Sequence, residues 1–341
     1  MGVTRILFLA DTHLGFDYPF KPRVYRRRRG PDFFRNYEKA LQPAYRGEVD
    51  LVVHGGDIFY RSRVPARLVD MAFLPLKQVA DRGVPVYIVP GNHERSIIPY
   101  SILAAHANIF TFDKPICFSK RIRDVDICLA GFPFVRYGIR DRFSEILARS
   151  GWKNTEADVY LLCMHQSVDG ATMGPKNFMF RGGDDVIDIH TIPSAFTAAL
   201  TGHMHRGQVL DRDLRGKRVA TPVFYAGALE RTSFAEKNER KGYMIIGVKT
   251  ETVGNSLQWE FHEVRTRPMV QFNLDTDGMD KTDLLPWLKD RLSKVPADSI
   301  VRIQIRGSVD NALRMLFSVN SLRTFVPQTM NVTIRIKQDT L

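Results

Sequence analysis

The sequence predicts an α/β protein in which a large sheet-based core is followed by a smaller α/β unit. Three observations carry this expectation. Short runs rich in Val, Ile and Leu alternate with helical stretches through the first two thirds of the chain. After Gly202 the pattern changes to strands separated by turns, and beyond Pro268 a strand, helix, strand, helix, strand series begins. At 341 residues the chain exceeds the usual single-domain size, so one core plus an attached domain is the expected organisation.

The first strand candidates, residues 6–10, 51–53, 86–89, 160–164 and 198–201, are apolar without alternation, as strands buried on both faces are. Residues 32–45 and 66–80 have helical character, and Pro75 is expected to kink the second helix. Within it Leu68, Met71, Ala72 and Val79 share one face, a spacing that belongs more often to a core than to an interface. Residues 219–225, 242–248 and 257–264 supply strands for a second sheet packed on the first. In the last part 269–274, 300–305 and 331–336 are expected as strands, with helices at 284–292 and 312–319. The domain boundary is placed to give residues 1–265 and 266–341.

Lys and Arg number 49 against 37 Asp and Glu, a net charge of +12 that favours polyanionic partners such as nucleic acid or an acidic membrane, with simple solubility as the plain account. The three cysteines, Cys117, Cys128 and Cys163, lack the spacing of a zinc site or a disulfide framework, which fits a reducing cytosol. The apolar stretch at 6–10 is too brief for a signal peptide core, and no apolar run approaches a membrane span. Ile6 stands where a myristoylation pattern wants Ser or Thr. The expected location is the cytoplasm or nucleoid. No glycine loop ends in Gly-Lys-Ser/Thr, so nucleotide-hydrolysing machinery is not expected in this chain.

Metal-ligand residue types fall at the C-terminal ends of five separate apolar runs, where α/β sheets place their ligands. The groups are Asp11-Thr12-His13, Gly56-Asp57, Gly91-Asn92-His93-Glu94, His165, and Gly202-His203-Met204-His205. Hydrolysing a phosphodiester at neutral pH needs a hydroxide nucleophile and compensation for charge on the phosphate oxygens. Two cations about 3.5 to 4 Å apart supply both. A carboxylate can bridge them while imidazole and amide oxygen complete the set, a mixture that suits manganese, iron or zinc over calcium. Asp11 and His13, on the same side of an extended segment, could share one metal, and His203 with His205 repeats the device. Adjacent glycines allow tight turns and close backbone approach. His54 is expected to be a buried, hydrogen-bonded histidine, and His106, His190 and His262 to have ordinary structural roles.

This set resembles the calcineurin-like metallophosphoesterase superfamily over roughly residues 6–205, with all five sequence blocks present. The resemblance implies one metal on Asp11, His13, Asp57 and His205 and a second on Asp57, Asn92, His165 and His203, with Asp57 bridging. It makes His93 a non-ligand facing the scissile phosphate, as general acid or transition-state stabiliser. Asp11-Thr12-His13-Leu14-Gly15 and Tyr225-Ala226-Gly227-Ala228-Leu229-Glu230-Arg231, followed by Phe234, Glu236 and Lys241-Gly242, look like the SbcD group, which includes the archaeal and eukaryotic nuclease named for meiotic recombination. That resemblance implies two facing mixed sheets flanked by helices with a small capping, DNA-binding domain. It also implies manganese-dependent 3′ exonuclease and single-strand endonuclease activity in DNA repair, in a homodimer bound to an SMC-like, SbcC-type ATPase. Tyr60 departs from the pattern, standing where many members place a histidine. The chain stops at Leu341, where longer relatives continue into a helical segment that grips the ATPase.

Basic residues near the ligands are candidates for the DNA backbone: Arg26 and Arg27 in the stretch with Lys21, Arg23, Arg28 and Arg29, and Arg61 and Arg63 soon after Asp57. Tyr18 and Tyr25 could stack on bases. The rival expectations are a small-molecule phosphodiesterase or phosphatase with the same ligand set, and a DNA-binding scaffold of weak activity. The scaffold predicts missing ligands, and none is missing.

Overall fold

The computed structural model describes residues 3–18, 27–99, 101, 105–251, 254–277, 279–318, 321–322 and 324–336. The chain divides into two compact units, one formed by Met1–Asp17 with Gly30–Arg265 and the other by Tyr18–Arg29 with Thr266–Leu341.

The first unit is built on two six-stranded mixed sheets. In one, β1 (Val3–Leu9), β2 (Leu51–His54), β3 (Val86–Ile88) and β4 (Ile109–Thr111) run parallel, and β15 (Gly242–Thr250) and β16 (Asn255–Glu263) extend it antiparallel beyond β1. In the other, β6 (Val125–Gly131), β7 (Val159–Met164), β12 (Ala198–Thr201) and β14 (Arg218–Tyr225) are parallel, with β5 (Ile116–Ile122) and β13 (Gln208–Arg212) as antiparallel edges. Two short pairs join β8 (Ser167–Val168) to β11 (Val186–Ile187) and β9 (Thr172–Met173) to β10 (Phe178–Met179).

The sheets face each other through one apolar cluster. Ile6, Phe8, Val53 and Val89 from the first sheet meet Leu129, Leu161, Leu200 and Phe224 from the second. Burying side chains of this size stabilises by roughly 1.5–3 kcal/mol each, and it forces the parallel strands to be apolar on both faces. Outside the second sheet, Phe143 and Leu147 of the helix Ile139–Ala148 pack on Leu162 and Tyr225.

The helical stretch expected at 32–45 is broken into α1 (Gly30–Ala40) and α2 (Gln42–Tyr45), with Pro43 in α2 unable to donate to the preceding turn. Pro75 lies inside α3 (Ala66–Asp81), which continues through it. Proline removes the bond to the residue 71 carbonyl and weakens the turn around it. Tyr37 Oη donates to Ala72 O (3.1 Å) and Tyr45 Oη to Pro75 O (3.0 Å), giving that turn's carbonyls outside partners. Leu68, Ala72 and Val79 are buried in this unit's core.

Cys117 and Cys128 stand beside each other on neighbouring strands, with their Cα atoms 6.3 Å apart. The antiparallel β5–β6 register pairs Cys117 with Ala130 and Ser119 with Cys128, so the two cysteines are diagonal neighbours on one face. Cys163 is a buried free thiol. No helix among the described residues is long and apolar enough to cross a membrane.

The second unit contains a parallel sheet of β17 (Met269–Asp275), β18 (Ile300–Arg306) and β19 (Asn331–Ile336) with helices at Lys281–Ser293 and Asn311–Leu316. Leu274, Leu284, Leu288, Ile303 and Ile305 form its core.

Candidate metal centre

The loops leaving β1 and β2 keep pairing after the strands end. Asp11 N donates to Gly56 O (2.9 Å), His13 N to Asp57 O (3.0 Å) and Leu14 N to Ile58 O (2.7 Å), while Tyr60 N donates back to Leu14 O (3.0 Å). This places Asp11, His13 and Asp57 side by side. The segment 11–13 is not extended, as the alternation of its residues led us to expect. Asp11 (φ 50°), His13 (φ 45°) and Asp57 (φ 53°) are left-handed, and so is His203 (φ 82°). Asp and His tolerate that region better than most residues, and backbone curled this way turns neighbouring side chains to one point.

His13 Nε2 lies 2.9 Å from His205 Nε2, and Asn92 Oδ1 lies 3.0 Å from His165 Nε2 and 2.9 Å from His203 Nδ1. Asp57 Oδ2 is 3.5 Å from His165 Nε2 and 3.9 Å from His93 Nε2. Ligand atoms of Asp11, His13 and His205 fall within 4.8 Å of one another, as do those of Asp11, Asp57 and His165, and of His13, Asp57 and His93. The seven residues expected as ligands are thus gathered at one place, with Asp57 common to two of the three clusters and His93 beside them.

The donor set fits divalent cations. Asp11 Oδ2 and His13 Nδ1 are buried with no hydrogen-bond partner among the described residues, and two imidazole nitrogens face each other at 2.9 Å. His165 Nδ1 lies 2.7 Å from Gly55 O, and since a carbonyl only accepts, Nδ1 carries a hydrogen and Nε2 is left as the nitrogen for a cation. Burial pushes His13 well below the usual histidine range and His203 down to about 3, which keeps both neutral. Burial opposes the charged form of Asp57 too, but His165, His13 and His93 overrule it and hold the carboxyl well below the usual range. His165 is also disfavoured as a cation by burial, yet Asp57 and Asp11 push it up to about 9. A cation bound between those carboxylates would take the place of that proton.

Glycine is required where the loops touch. A Cβ at Gly91 would lie 2.2 Å from Asp57 Oδ1, and one at Gly56 would lie 2.4 Å from His165 Nδ1.

Sequence reasoning passed over three supporting residues. Buried Glu94 accepts from Asp57 N (3.1 Å), Phe59 N (2.7 Å) and Gly91 N (2.8 Å), bracing the two loops against each other. Burial, with the Asp57 charge, pushes its carboxyl up to about 8. Glu236 lies 3.3 Å from His205 Nδ1, and fully buried Lys241 pairs with Glu236 (2.7 Å) and Glu239 (3.0 Å) and donates to His205 O (2.8 Å). Glu236 and Lys241 stood in the sequence only as pattern residues, and the burial of a lysine between two glutamates is visible only in the fold. His54 is buried, accepting from Gly56 N (3.2 Å) at Nδ1, with Nε2 3.1 Å from Thr12 Oγ1.

Tyr60 contributes its ring and its carbonyl. Its ring packs edge-on to Phe16 (4.8 Å) and lies 5.7 Å from His93, and its carbonyl accepts from His93 Nδ1 (2.7 Å). Arg61 and Arg63 are exposed on the loop after Asp57. Arg27 belongs to the second unit, where its N donates to Gln328 O (3.1 Å). Arg26, Lys21, Arg23 and Tyr25 lie outside the described residues. His106, His190 and His262 pair with Asp81, Asp213 and Glu260, away from the centre.

Residues 4–207 match the family model described as calcineurin-like phosphoesterase. Among curated proteins the chain is similar to the DNA double-strand break repair protein Mre11 of Sulfurisphaera tokodaii, 27% identical over 62% of this chain and 52% of that one. It is 28% identical to Mre11 of Methanosarcina acetivorans over 91% of this chain and 47% of that one, and 25% identical to Mre11 of Haloferax volcanii over 89% and 62%. The chain thus spans about half to three fifths of the length of these relatives.

Proposed function

Since the chain belongs to the calcineurin-like phosphoesterase family, we propose that it is a metal-dependent nuclease that hydrolyses the phosphodiester backbone of DNA in double-strand break repair. The observation that carries the hydrolytic part is the convergence of Asp11, His13, Asp57, Asn92, His165, His203 and His205 on one point. DNA as substrate is supported by the Mre11 relatives and by the net charge of +12.

Two divalent cations bound there, most suitably manganese, supply an activated water and neutralise charge on the phosphate oxygens. The chain's residues do the rest. Asp11, His13, Asp57 and His205 would hold one cation, and Asp57, Asn92, His165 and His203 the other, with Asp57 shared. His93 has its Nδ1 hydrogen fixed on the Tyr60 carbonyl, which leaves Nε2 as the nitrogen that, when the ring is an imidazolium, would give its proton to the leaving oxygen and return to neutral imidazole. Exposed Arg61 and Arg63 suit contact with the DNA backbone, as do Arg26 and Arg27. The further parts of this reading are 3′-5′ exonuclease and single-strand endonuclease action, a homodimer, an SbcC-type ATPase partner, a DNA-binding role for residues 266–341 and a cytoplasmic, nucleoid-associated location.

The test is manganese-dependent cleavage of end-labelled single-stranded, double-stranded and hairpin DNA beside a chromogenic phosphodiester, with Asp57→Ala and His93→Ala as controls. DNA degradation lost in both variants supports the nuclease. Hydrolysis of the small ester alone would replace it with a small-molecule phosphodiesterase.

A further inference from the structure

A cavity of about 510 Å³ is lined by residues that adjoin those of the metal centre in the chain. Its lining includes Arg206, the residue after His205, and Ala235, the residue before the Glu236 that holds His205. β16 and β13 are edge strands of the two sheets, and both line the cavity, β13 through Gln208 and Val209 and β16 through Trp259 and Phe261. On β16, Leu257 and Phe261 pack against the shared core, whereas Trp259 between them is 50% exposed, its ring edge-on to Phe224 at 6.1 Å. Val209 and Phe261 complete an aromatic and aliphatic floor.

The walls are polar and basic. The lining carboxylate, Glu239, is already neutralised by Arg206 (3.1 Å) and Lys241 (3.0 Å). Arg240, over the Phe261 ring at 5.3 Å, stands at the mouth in a pair with Glu263. Lys237 and Asn238 line the cavity, and neither side chain has a hydrogen-bond or ion-pair partner among the described residues. An exposed indole face, a spare amide and a spare ammonium match the three parts of a nucleotide: a flat aromatic base, its polar edge and its phosphate. A purely apolar ligand would leave the amide and the ammonium idle, and an acidic peptide would leave the indole face without a stacking partner.

We propose that this cavity holds one unpaired nucleobase of the strand being cut, stacked on Trp259, with Asn238 on the base edge and Lys237 on a flanking phosphate. The assignment rests on the reading of DNA as substrate. Stacking accepts any base, so the site grips single-stranded ends without sequence preference and anchors the strand next to the scissile phosphate.

The experiment uses the full chain and a fluorescein-labelled oligodeoxythymidylate in EDTA, so that binding is read without cleavage. Wild type should bind with quenching of tryptophan emission. Trp259→Ala should weaken binding about tenfold or more and remove most of the quenching, since neither Trp152 nor Trp287 lines the cavity. Trp259→Phe should restore most of the affinity, and Lys237→Ala should weaken binding several-fold with a shallower salt dependence. Melting curves close to wild type verify that each variant is folded. If wild type binds the oligonucleotide and folded Trp259→Ala binds it equally well, the cavity is not a base site while the nuclease reading stands. If wild type neither binds nor cleaves DNA but splits the chromogenic ester, the nuclease reading falls and takes the base site with it.

Discussion

Removing the Glu236 carboxylate should weaken metal binding and destabilise the fold by separable routes. Glu236 lies 3.3 Å from His205 Nδ1 and 2.7 Å from Lys241 Nζ, and Lys241 has no exposed side-chain surface. In Glu236→Ala, the fully buried Lys241 loses one of its two carboxylates. Breaking a buried ion pair by deleting one partner costs about 3–5 kcal/mol. The low end applies, because Glu239 at 3.0 Å and the His205 carbonyl at 2.8 Å remain. A loss of about 3 kcal/mol lowers the melting temperature of a domain this large by roughly 6–12 °C. His205 also loses the acceptor that fixes its Nδ1 hydrogen and aims Nε2 at the centre, and loss of such a partner typically weakens metal affinity about 10–100-fold. Differential scanning calorimetry and manganese titration by isothermal calorimetry read the two effects. Glu236→Gln, which keeps an oxygen for His205, should lose stability but retain most of the affinity. Glu236→Ala with Lys241→Met should recover stability but not affinity. An Ala variant that melts and binds manganese like wild type would refute the account.

Asp57→Asn should reduce bound manganese, measured by elemental analysis, and bring hydrolysis of a chromogenic phosphodiester to background, since the carboxylate proposed to bridge the two cations loses its charge. His93→Gln should lower kcat by about 10²–10⁴-fold with metal content unchanged. Loss of a metal would instead make His93 a ligand, which its cluster with His13 and Asp57 permits sterically. Gly91→Ala should lower both thermal stability and manganese affinity, because the new methyl lies 2.2 Å from Asp57 Oδ1. Wild-type affinity in that variant would show that the loop moves freely.

The core strands and the ligand blocks were legible because both are local. A strand buried on two faces must be a run of apolar residues, and the candidate ligands stand within a few residues after such runs, though His54 comes before Asp57. What lay between was not legible. β5, with Ser119, Lys120 and Arg121 at a half-exposed edge, lacks that run, and the helix Ile139–Ala148 hides its apolar stripe among Arg140, Asp141, Arg142 and Glu145. The break at Leu41 follows from Pro43, which a helical pattern over 32–45 overran. At the site, Glu94 was visible within its block, but its bonds to backbone N–H groups of another loop were not, since nothing in residue type announces them. Glu236 lies 31 residues after His205, where only the fold makes them neighbours.

Left-handed backbone at Asp11, His13, Asp57 and His203 has a consequence for how such a chain can diverge. Each such position carries strain on the order of 1 kcal/mol, and only glycine is relieved of it. Under the proposed function, folding works against catalysis at these four places, and selection for hydrolysis is what would keep the larger side chains there. Exchange among Asp, Asn and His leaves the backbone content, so drift in metal preference is open, whereas Val, Ile or Thr is barred by geometry. A descendant that gave up catalysis would be expected to acquire glycine at these positions and melt higher than its ancestor.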